Sequence, residues 1–439
     1  MLSIENNKLS HFLVMLLSML VFLCALPSNS QARPLRSLLH HIGQTHPAIV
    51  AQHEQALASE ATINEAKAGY LPQVGINASY GYQERDRSGG ISSNGIEDSD
   101  PINASLSISQ NLFEGFRTDG SVKSATATML ATNEQYNATR QQVFLQAINA
   151  YIQLVRQQHL LQLAQQNIQN LQNQVALEQE RMVAGTGISV DVLQTKSRLQ
   201  LAHDRYASFL GSFHQAEATF TQFFGMKPDY RTLQIPSVSP QAMPRQLQQA
   251  VQTALVRNPS ISQSQHELDA AQEQRTIARA NYFPRVDVVA SSSFSDTGDT
   301  ISGETSTNAI QLRGSWDLFA GFADQSRETR AIHGYQSTLA STDNTRRQVI
   351  ESTERAWAQL VTTQQRATIL QNAVVISQQV YGARQRLRDI GSETAINVLA
   401  AENELFSSQI NAVSALYDSY IARFNLLQAI GMLEPSSLL

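Results

Sequence analysis

The chain has 439 residues, with 32 Lys and Arg against 37 Asp and Glu, giving a formal net charge of −5. Hydrophobic residues make up 42% and charged residues 16%, with 21 Gly and 12 Pro, which excludes collagen-like, strongly disordered and basic nucleic-acid-binding classes. A mean hydropathy of −0.24 argues against a bundle of membrane helices, and a single cysteine excludes a disulfide scaffold or a thiolate metal cluster.

At the amino terminus Lys8 precedes an apolar run from Phe12 to Leu26, followed by small residues at Ser30 and Ala32. This pattern predicts a secretory signal peptide over residues 1–32, because 15 apolar residues fall short of the roughly 20 that a spanning helix needs. Cleavage after Ala32 would leave 407 residues. The only cysteine, Cys24, lies inside the run, and Val21-Phe22-Leu23 lack the small residue expected before an acylated cysteine. A thiol-free mature chain suits an oxidising compartment.

The remainder is written twice. His46-Pro47-Ala48-Ile49 recurs as Asn258-Pro259-Ser260-Ile261, and Ala68-Gly69-Tyr70-Leu71-Pro72 as Ala280-Asn281-Tyr282-Phe283-Pro284, both 212 residues on. Leu112-Phe113-Glu114-Gly115-Phe116 recurs as Leu318-Phe319-Ala320-Gly321-Phe322, and Val190-Asp191-Val192-Leu193 as Ile396-Asn397-Val398-Leu399, both at an offset of 206. The offset therefore changes once, between Pro72 and Phe113, where the first copy is six residues longer and a loop must absorb the difference. The expected organisation is a first repeat over 33–226, a linker over 227–244 carrying Pro228, Pro236, Pro240 and Pro244, and a second repeat over 245–439.

Within the first copy Ser37 to Gly69 reads as one helix that Pro72 ends. A hairpin over about 73–111 follows. Val74, Ile76, Ala78, Tyr80 and Tyr82 alternate with polar residues, and after a polar stretch so do Ile102, Ala104, Leu106 and Ile108. The second copy repeats this over about 285–318, with Val286, Val288, Ala290 and Phe294, then Ile310, Leu312 and Trp316. Period-two alternation of this kind gives strands with one apolar and one polar face, at a length that can cross a bilayer when tilted. A half-buried sheet in a soluble domain would show the same alternation. Tyr70, Phe113, Phe116, Tyr282, Phe283, Phe319 and Phe322 at the strand bases suit an interfacial aromatic girdle and favour the membrane.

Each hairpin leads into a long helical pattern. Arg117 to Val183 has no Pro and one Gly, with Leu161, Ala164, Ile168, Leu171 and Val175 in coiled-coil rhythm, and Val349, Ala356, Leu360 and Ala367 repeat that rhythm. These helices end at Gly185-Thr186-Gly187 and at Gly391-Ser392, where glycine supplies a left-handed cap. Return helices over Ser189–Phe224 and Thr394–Ile430 follow. Four strands leave two unpaired edges, which hydrocarbon does not tolerate, so copies of the chain must share a barrel. Two copies give 8 strands and three give 12; the pattern alone does not choose.

The duplicated Ala-Gly-Tyr-Leu-Pro and Ala-Asn-Tyr-Phe-Pro turns, the Asn-Leu-Phe-Glu-Gly-Phe and Asp-Leu-Phe-Ala-Gly-Phe strand exits, and the Gly-Thr-Gly-Ile-Ser-Val-Asp-Val-Leu tip resemble the TolC family of outer-membrane efflux and secretion channels. The resemblance spans the whole mature chain. It implies an α+β membrane protein: a homotrimer whose 12-stranded transmembrane β-barrel, four strands per chain, continues into a long periplasmic α-helical coiled-coil barrel. It also implies docking of the tips Gly185, Thr186, Gly187, Gly391 and Ser392 to a periplasmic adaptor (membrane fusion) protein, which connects to an inner-membrane ABC or proton-driven transporter. By the same resemblance, Arg388 to Glu404 form the periplasmic gate region. The family's acidic entrance ring falls here on Asn397 and Ala400, so the pattern departs. Asp389, Glu393, Glu402 and Glu404 are the carboxylates nearest, either facing the entrance or as solvated helix charges.

No catalytic constellation is present, and no cofactor, resident metal or nucleic-acid partner is expected. His40, His41, His46 and His53 read as residues of a solvated polar helix rather than a metal site, and Glu97, Asp98 and Asp100 as a solvated outer loop. The expected function is a passive conduit from periplasm to exterior in the outer membrane, in type I protein secretion. A multidrug or metal efflux channel is the alternative, and a periplasmic coiled-coil structural protein is the alternative of another class.

Overall fold

The computed structural model describes residues 35–87, 95–230, 233–236, 238, 242–297 and 303–437, by backbone alone at 85–87 and 95–97. The expected signal peptide lies outside these residues. The single helix expected over Ser37–Gly69 is instead two, α1 (Leu35–Thr45) and α2 (Pro47–Lys67). Pro47 forces the break, because the residue before proline is driven out of the helical region. His46 accordingly sits at φ −69°, ψ 126°, and its Nδ1 caps α2 by accepting the Ala48 amide at 3.3 Å. The second copy breaks in the same way between α5 (Leu247–Arg257) and α6 (Pro259–Arg279), where Asn258 caps by accepting from the Ser260 amide at 2.9 Å.

Four strands, β1 (Gln73–Tyr80), β4 (Ile102–Phe113), β5 (Arg285–Asp296) and β6 (Glu304–Ser315), form one antiparallel sheet in the order β1-β4-β5-β6. The polar stretch in the first hairpin is not wholly a loop. It folds into a separate ribbon of β2 (Gln83–Arg87) and β3 (Gly95–Ser99), and at its foot the Tyr82 hydroxyl donates to Asp98 at 2.8 Å. Trp316 falls one residue past the end of β6.

Register places like beside like. Val74 pairs Ile108, Ile76 pairs Leu106 and Ala78 pairs Ala104 on one face, while Gly75–Ser107 and Asn77–Ser105 occupy the other. Among the described residues nothing covers the apolar face: Ile76 is 77% exposed and Ile310 81%. The apolar band also steps along the register. Tyr80 and Ile102 stand level with Asp296 and Glu304, and the apolar residues of β6, Ile310 and Leu312, lie lower, as tilted strands crossing one slab require.

Gly115 and Phe116, like Gly321 and Phe322, are left-handed, with φ of 66° at Phe116 and 63° at Phe322, and these pairs turn each strand into its long helix. The helices α3 (Arg117–Val183) and α7 (Ala323–Asp389) have 67 residues each, about 100 Å at 1.5 Å per residue. They return as α4 (Ser189–Phe224) and α8 (Ala395–Ala429). Beside α3 the shorter helices meet end to end: α2 runs along its first half, from Gly69 at Thr118 to His53 at Tyr136, and His46 stacks on Phe223 of α4 at 5.9 Å. The main core lies at that level, with Phe144, Ile148 and Ile152 of α3 packed with Leu39, Phe220, Phe424 and Leu427. Leu233, Val238 and Met243 of the Pro-rich segment pack against it, and the Gln234 amide donates to the Tyr151 hydroxyl at 3.0 Å. Among the described residues no helix is long and apolar enough to cross a membrane, so a membrane contact falls to the sheet.

Candidate functional site

The α3–α4 and α7–α8 turns form the ends of two helical hairpins. Gly185 and Gly391 take φ of 73° and 77°, the left-handed conformation that lets the last carbonyls of each helix find donors. The Thr186 amide donates to the Arg181 carbonyl at 3.0 Å and the Ser392 amide to the Leu387 carbonyl at 2.9 Å, so the two caps are the same motif. Gly185, Thr186, Gly391 and Ser392 are exposed, while Gly187 is half-buried, its Cα backed against Arg181 and Met182.

A charged cluster ties the two tips together. Arg388 of α7, with its side chain 17% exposed, donates to Glu178 of α3 at 2.8 Å, to Asp191 of α4 at 3.1 Å and to the Glu393 carbonyl at 3.1 Å. Glu178 also accepts from Arg181 at 2.9 Å, and Arg181 reaches Asp389 at 3.2 Å. Burial works against the Arg388 cation, but the carboxylates of Glu178 and Asp191 outweigh it and hold the guanidinium charged. Glu393 accepts from Asn397 at 2.6 Å, from the Thr394 amide at 2.9 Å and from Arg384 at 3.0 Å. The Asn397 and Thr394 hydrogen bonds, with lesser help from Arg384, keep its carboxyl below the usual range.

Of the expected gate residues, the structure brings together Arg388, Asp389, Glu393 and Asn397. Ala400 and Glu404 are exposed on α8 and take no part in the cluster. Glu402 is not a solvated helix charge: it is 4% exposed, turned into the seam between the hairpins. Sequence reasoning missed Glu178, Arg181, Asp191 and Arg384. A signal for them existed. At the 206 offset Glu178 stands opposite Arg384, Arg181 opposite Leu387, Met182 opposite Arg388, Val183 opposite Asp389, Gly187 opposite Glu393 and Asp191 opposite Asn397, so the cluster consists of positions where the copies differ in charge.

At the other end, the expected aromatics gather under the sheet. Phe113, Phe116 and Phe283 meet edge to face with centroids 5.7–6.4 Å apart, and Phe319 and Phe322 at 5.3 Å. Tyr70 and Tyr282 are exposed in the short 3₁₀ turns before β1 and β5. Trp316 joins them, donating its indole N–H to the Tyr282 carbonyl at 3.2 Å. His53 lies edge-on to Tyr136, and with the His46 cap this gives two of the amino-terminal histidines packing roles.

An edge-open sheet with a bare apolar face and an aromatic base, mounted on two antiparallel helical hairpins locked at their tips, is the architecture of an outer-membrane channel subunit. The chain belongs to the outer membrane efflux protein family, whose model matches residues 38–226 and again 250–432; this is the TolC family expected from the motifs. It is 25% identical to the outer membrane efflux protein BepC of Brucella suis, over 76% of this chain and 73% of that protein. To the outer membrane protein TolC of Escherichia coli it is 22% identical, over 94% and 85%. To the alkaline protease secretion protein AprF of Pseudomonas aeruginosa it is 22% identical, over 78% and 72%. Among solved structures, the outer membrane protein VceC of Vibrio cholerae superposes with a TM-score of 0.78 at 20% identity, over 90% of this chain and 96% of that one.

Proposed function

We propose that three copies of the chain close a 12-stranded barrel in the outer membrane, continued by their helices into a periplasmic tunnel, and that the assembly is a passive conduit for export. The observation that carries this reading is the sheet itself. β4 and β5, the inner strands of the two repeats, pair in register, whereas β1 and β6 stand at open edges with their equivalent faces bare. A β6 edge meeting the β1 edge of the next copy repeats the β4–β5 junction and removes every unpaired edge. Analytical ultracentrifugation of the detergent-extracted protein tests it: a species of three chains is expected, and a stable monomer soluble without detergent would overturn it.

In this reading the tips Gly185, Thr186, Gly187, Gly391 and Ser392 face a periplasmic adaptor, itself joined to an inner-membrane transporter that supplies the energy. The Arg388–Glu178–Asp191 cluster holds the two hairpins of each protomer together and keeps the entrance narrow. Type I protein secretion is the favoured route, supported by the name of AprF and by the absence of any cysteine after residue 32 for a lipid anchor. Multidrug or metal efflux with a proton-driven pump is the second reading, supported by the word efflux in the name of BepC. Deletion of the gene separates them: loss of a secreted protein without drug or detergent sensitisation is expected, and sensitisation without a secretion defect would overturn the first route.

A further inference from the structure

The seam between the hairpins holds a second ionisable group that the tip cluster does not use. Asn167, Leu171, Gln174 and Glu178 fall at four- and three-residue steps along one face of α3, and α7 and α8 pack against that face. Glu178 grips Arg388 at its lower end. One helical turn higher, Glu402 of α8 enters the same seam, where neither of its carboxyl oxygens makes a hydrogen bond of good geometry and Gln174 is its one polar neighbour of note. Gln174 lies beside it and donates one amide hydrogen to the Tyr381 hydroxyl of α7 at 3.1 Å; its weak pull on Glu402 is smaller than the effect of burial. Next to Glu402 is a cavity of about 30 Å³, room for one water, lined by Asn167 and Leu171 of α3, Arg198, Ala202 and Arg205 of α4, and Leu399 and Asn403 of α8. The ionisable groups facing Glu402 are therefore Arg198 and Arg205 from α4 and Tyr381 from α7, while α3 offers only amides at this level. Both arginines are exposed; Arg205 rests over the Phe406 ring and donates to Asn403 at 3.3 Å.

A carboxyl buried beside a single amide, with no cation bound to it, strongly favours its neutral form. We infer that Glu402 is a proton-operated latch between the two hairpins: protonated, it stays sealed among α3, α4, α7 and α8; ionised, it turns out toward Arg198 and Arg205 and parts the seam just above the Arg388 cluster.

The sign follows from linkage. Burial pushes the Glu402 carboxyl up to about 7, whereas in a parted, hydrated seam it returns to the ordinary carboxylate range. The sealed form is therefore fully favoured below the ordinary value, loses ground as pH rises through the window between the two, and is at its weakest above pH 7. The ratio of parted to sealed seams rises by about seventy-fold from pH 5 to pH 8. The latch itself needs only the single chain; that parting it widens a conduit rests on the channel reading.

The test uses the full-length protein in lipid nanodiscs, with E402Q as a packed, permanently neutral mimic and E404Q as an exposed control. Infrared difference spectra should show a protonated-carboxyl band that titrates near neutrality in the wild type and in E404Q and is missing in E402Q. Amide exchange, corrected for intrinsic rate, should speed up across residues 167–178 and 395–406 between pH 5 and pH 8, except in E402Q. A Glu402 already ionised at pH 5.5, or equal exchange in E402Q and wild type at pH 8, would overturn the latch. Planar-bilayer conductance is the separate arm. A pH-dependent rise that E402Q abolishes supports the coupling. Seam loosening with no conductance at any pH supports the latch and sinks the conduit.

Discussion

Internal duplication makes the subunit junction calculable. Gln73 pairs Ser109 in the first hairpin, and 212 and 206 residues further on Arg285 pairs Ser315 in the second, so the repeat offsets carry register faithfully. Between the repeats Ser109 pairs Val289. Moving each partner by its own offset, Ser315 of one copy should face Asn77 of the next, with Arg313 opposite Ser79. Both Asn77 and Ser315 lie on the polar face, which is the lumen side of the proposed trimer and within reach of an aqueous oxidant. Directly opposed strand residues have Cα atoms about 4.5–5.5 Å apart, inside the range that a disulfide spans. A pairing displaced by two residues keeps the face but adds about 6.8 Å along the strand, which puts the Cα atoms about 8 Å apart and out of range. The double variant N77C/S315C should therefore give covalent trimers on non-reducing gels after mild oxidation, each single variant none, and N77C/R313C far fewer. Efficient linkage in N77C/R313C with none in N77C/S315C would refute the transfer of register, and absence of any intermolecular pair would refute the closed trimer.

Four further outcomes are expected. Replacing Arg388 with Ala leaves Glu178 buried with Arg181 as its one remaining cation, at a cost of about 2 kcal/mol to the tip contact, and single-channel conductance of the isolated protein should rise; unchanged conductance counts against the cluster as a gate. Gly431→Ala would put a Cβ 2.3 Å from the Arg257 carbonyl oxygen at a positive φ, whereas Gly225→Ala meets open space at a similar φ. The first should therefore lower the melting temperature several degrees more than the second, the latter losing about 1 kcal/mol for its backbone alone. Gly185→Val and Gly391→Val should weaken cross-linking to the adaptor, because a β-branched residue resists the left-handed cap; normal cross-linking and full export in both would contradict the docking role. Brominated lipids should quench Trp316 fluorescence at the shallow depth of the membrane surface, and Trp316→Ala should remove that signal because the other tryptophan, Trp357, packs against the helical core; no depth-dependent quenching would argue against a membrane-surface cluster.

Much of the fold was open to reading because its signals are local. Both long helices lack proline, carry heptad spacing and stop at a glycine, and their observed bounds meet those signals. The break at His46-Pro47 was missed although proline at the first helical position is itself a start signal, since helix-compatible composition on both sides hid it. The β2–β3 ribbon was missed because its sequence carries one large apolar residue, Ile96, and so lacks the alternation that marks a strand. Arg388 was named, but its partners Glu178 and Asp191 lie about 200 residues away, and only folding brings them together. Glu402 is subtler: a carboxylate on a helix reads as solvated until the two hairpins are seen to enclose it.

The equal length of α3 and α7 makes the pair a matched gauge. Removing one residue from α3 would draw its tip back by about 1.5 Å and rotate everything beyond by about 100°, swinging Glu178 away from Arg388. Removing seven would restore the face but leave this tip about 10 Å short of its neighbour. Length can change in this part of the molecule only if both helices change together and in whole heptads, whereas the outer hairpins already differ by six residues. A lengthened or shortened relative is therefore viable when its two helical hairpins agree with each other, whatever their absolute reach.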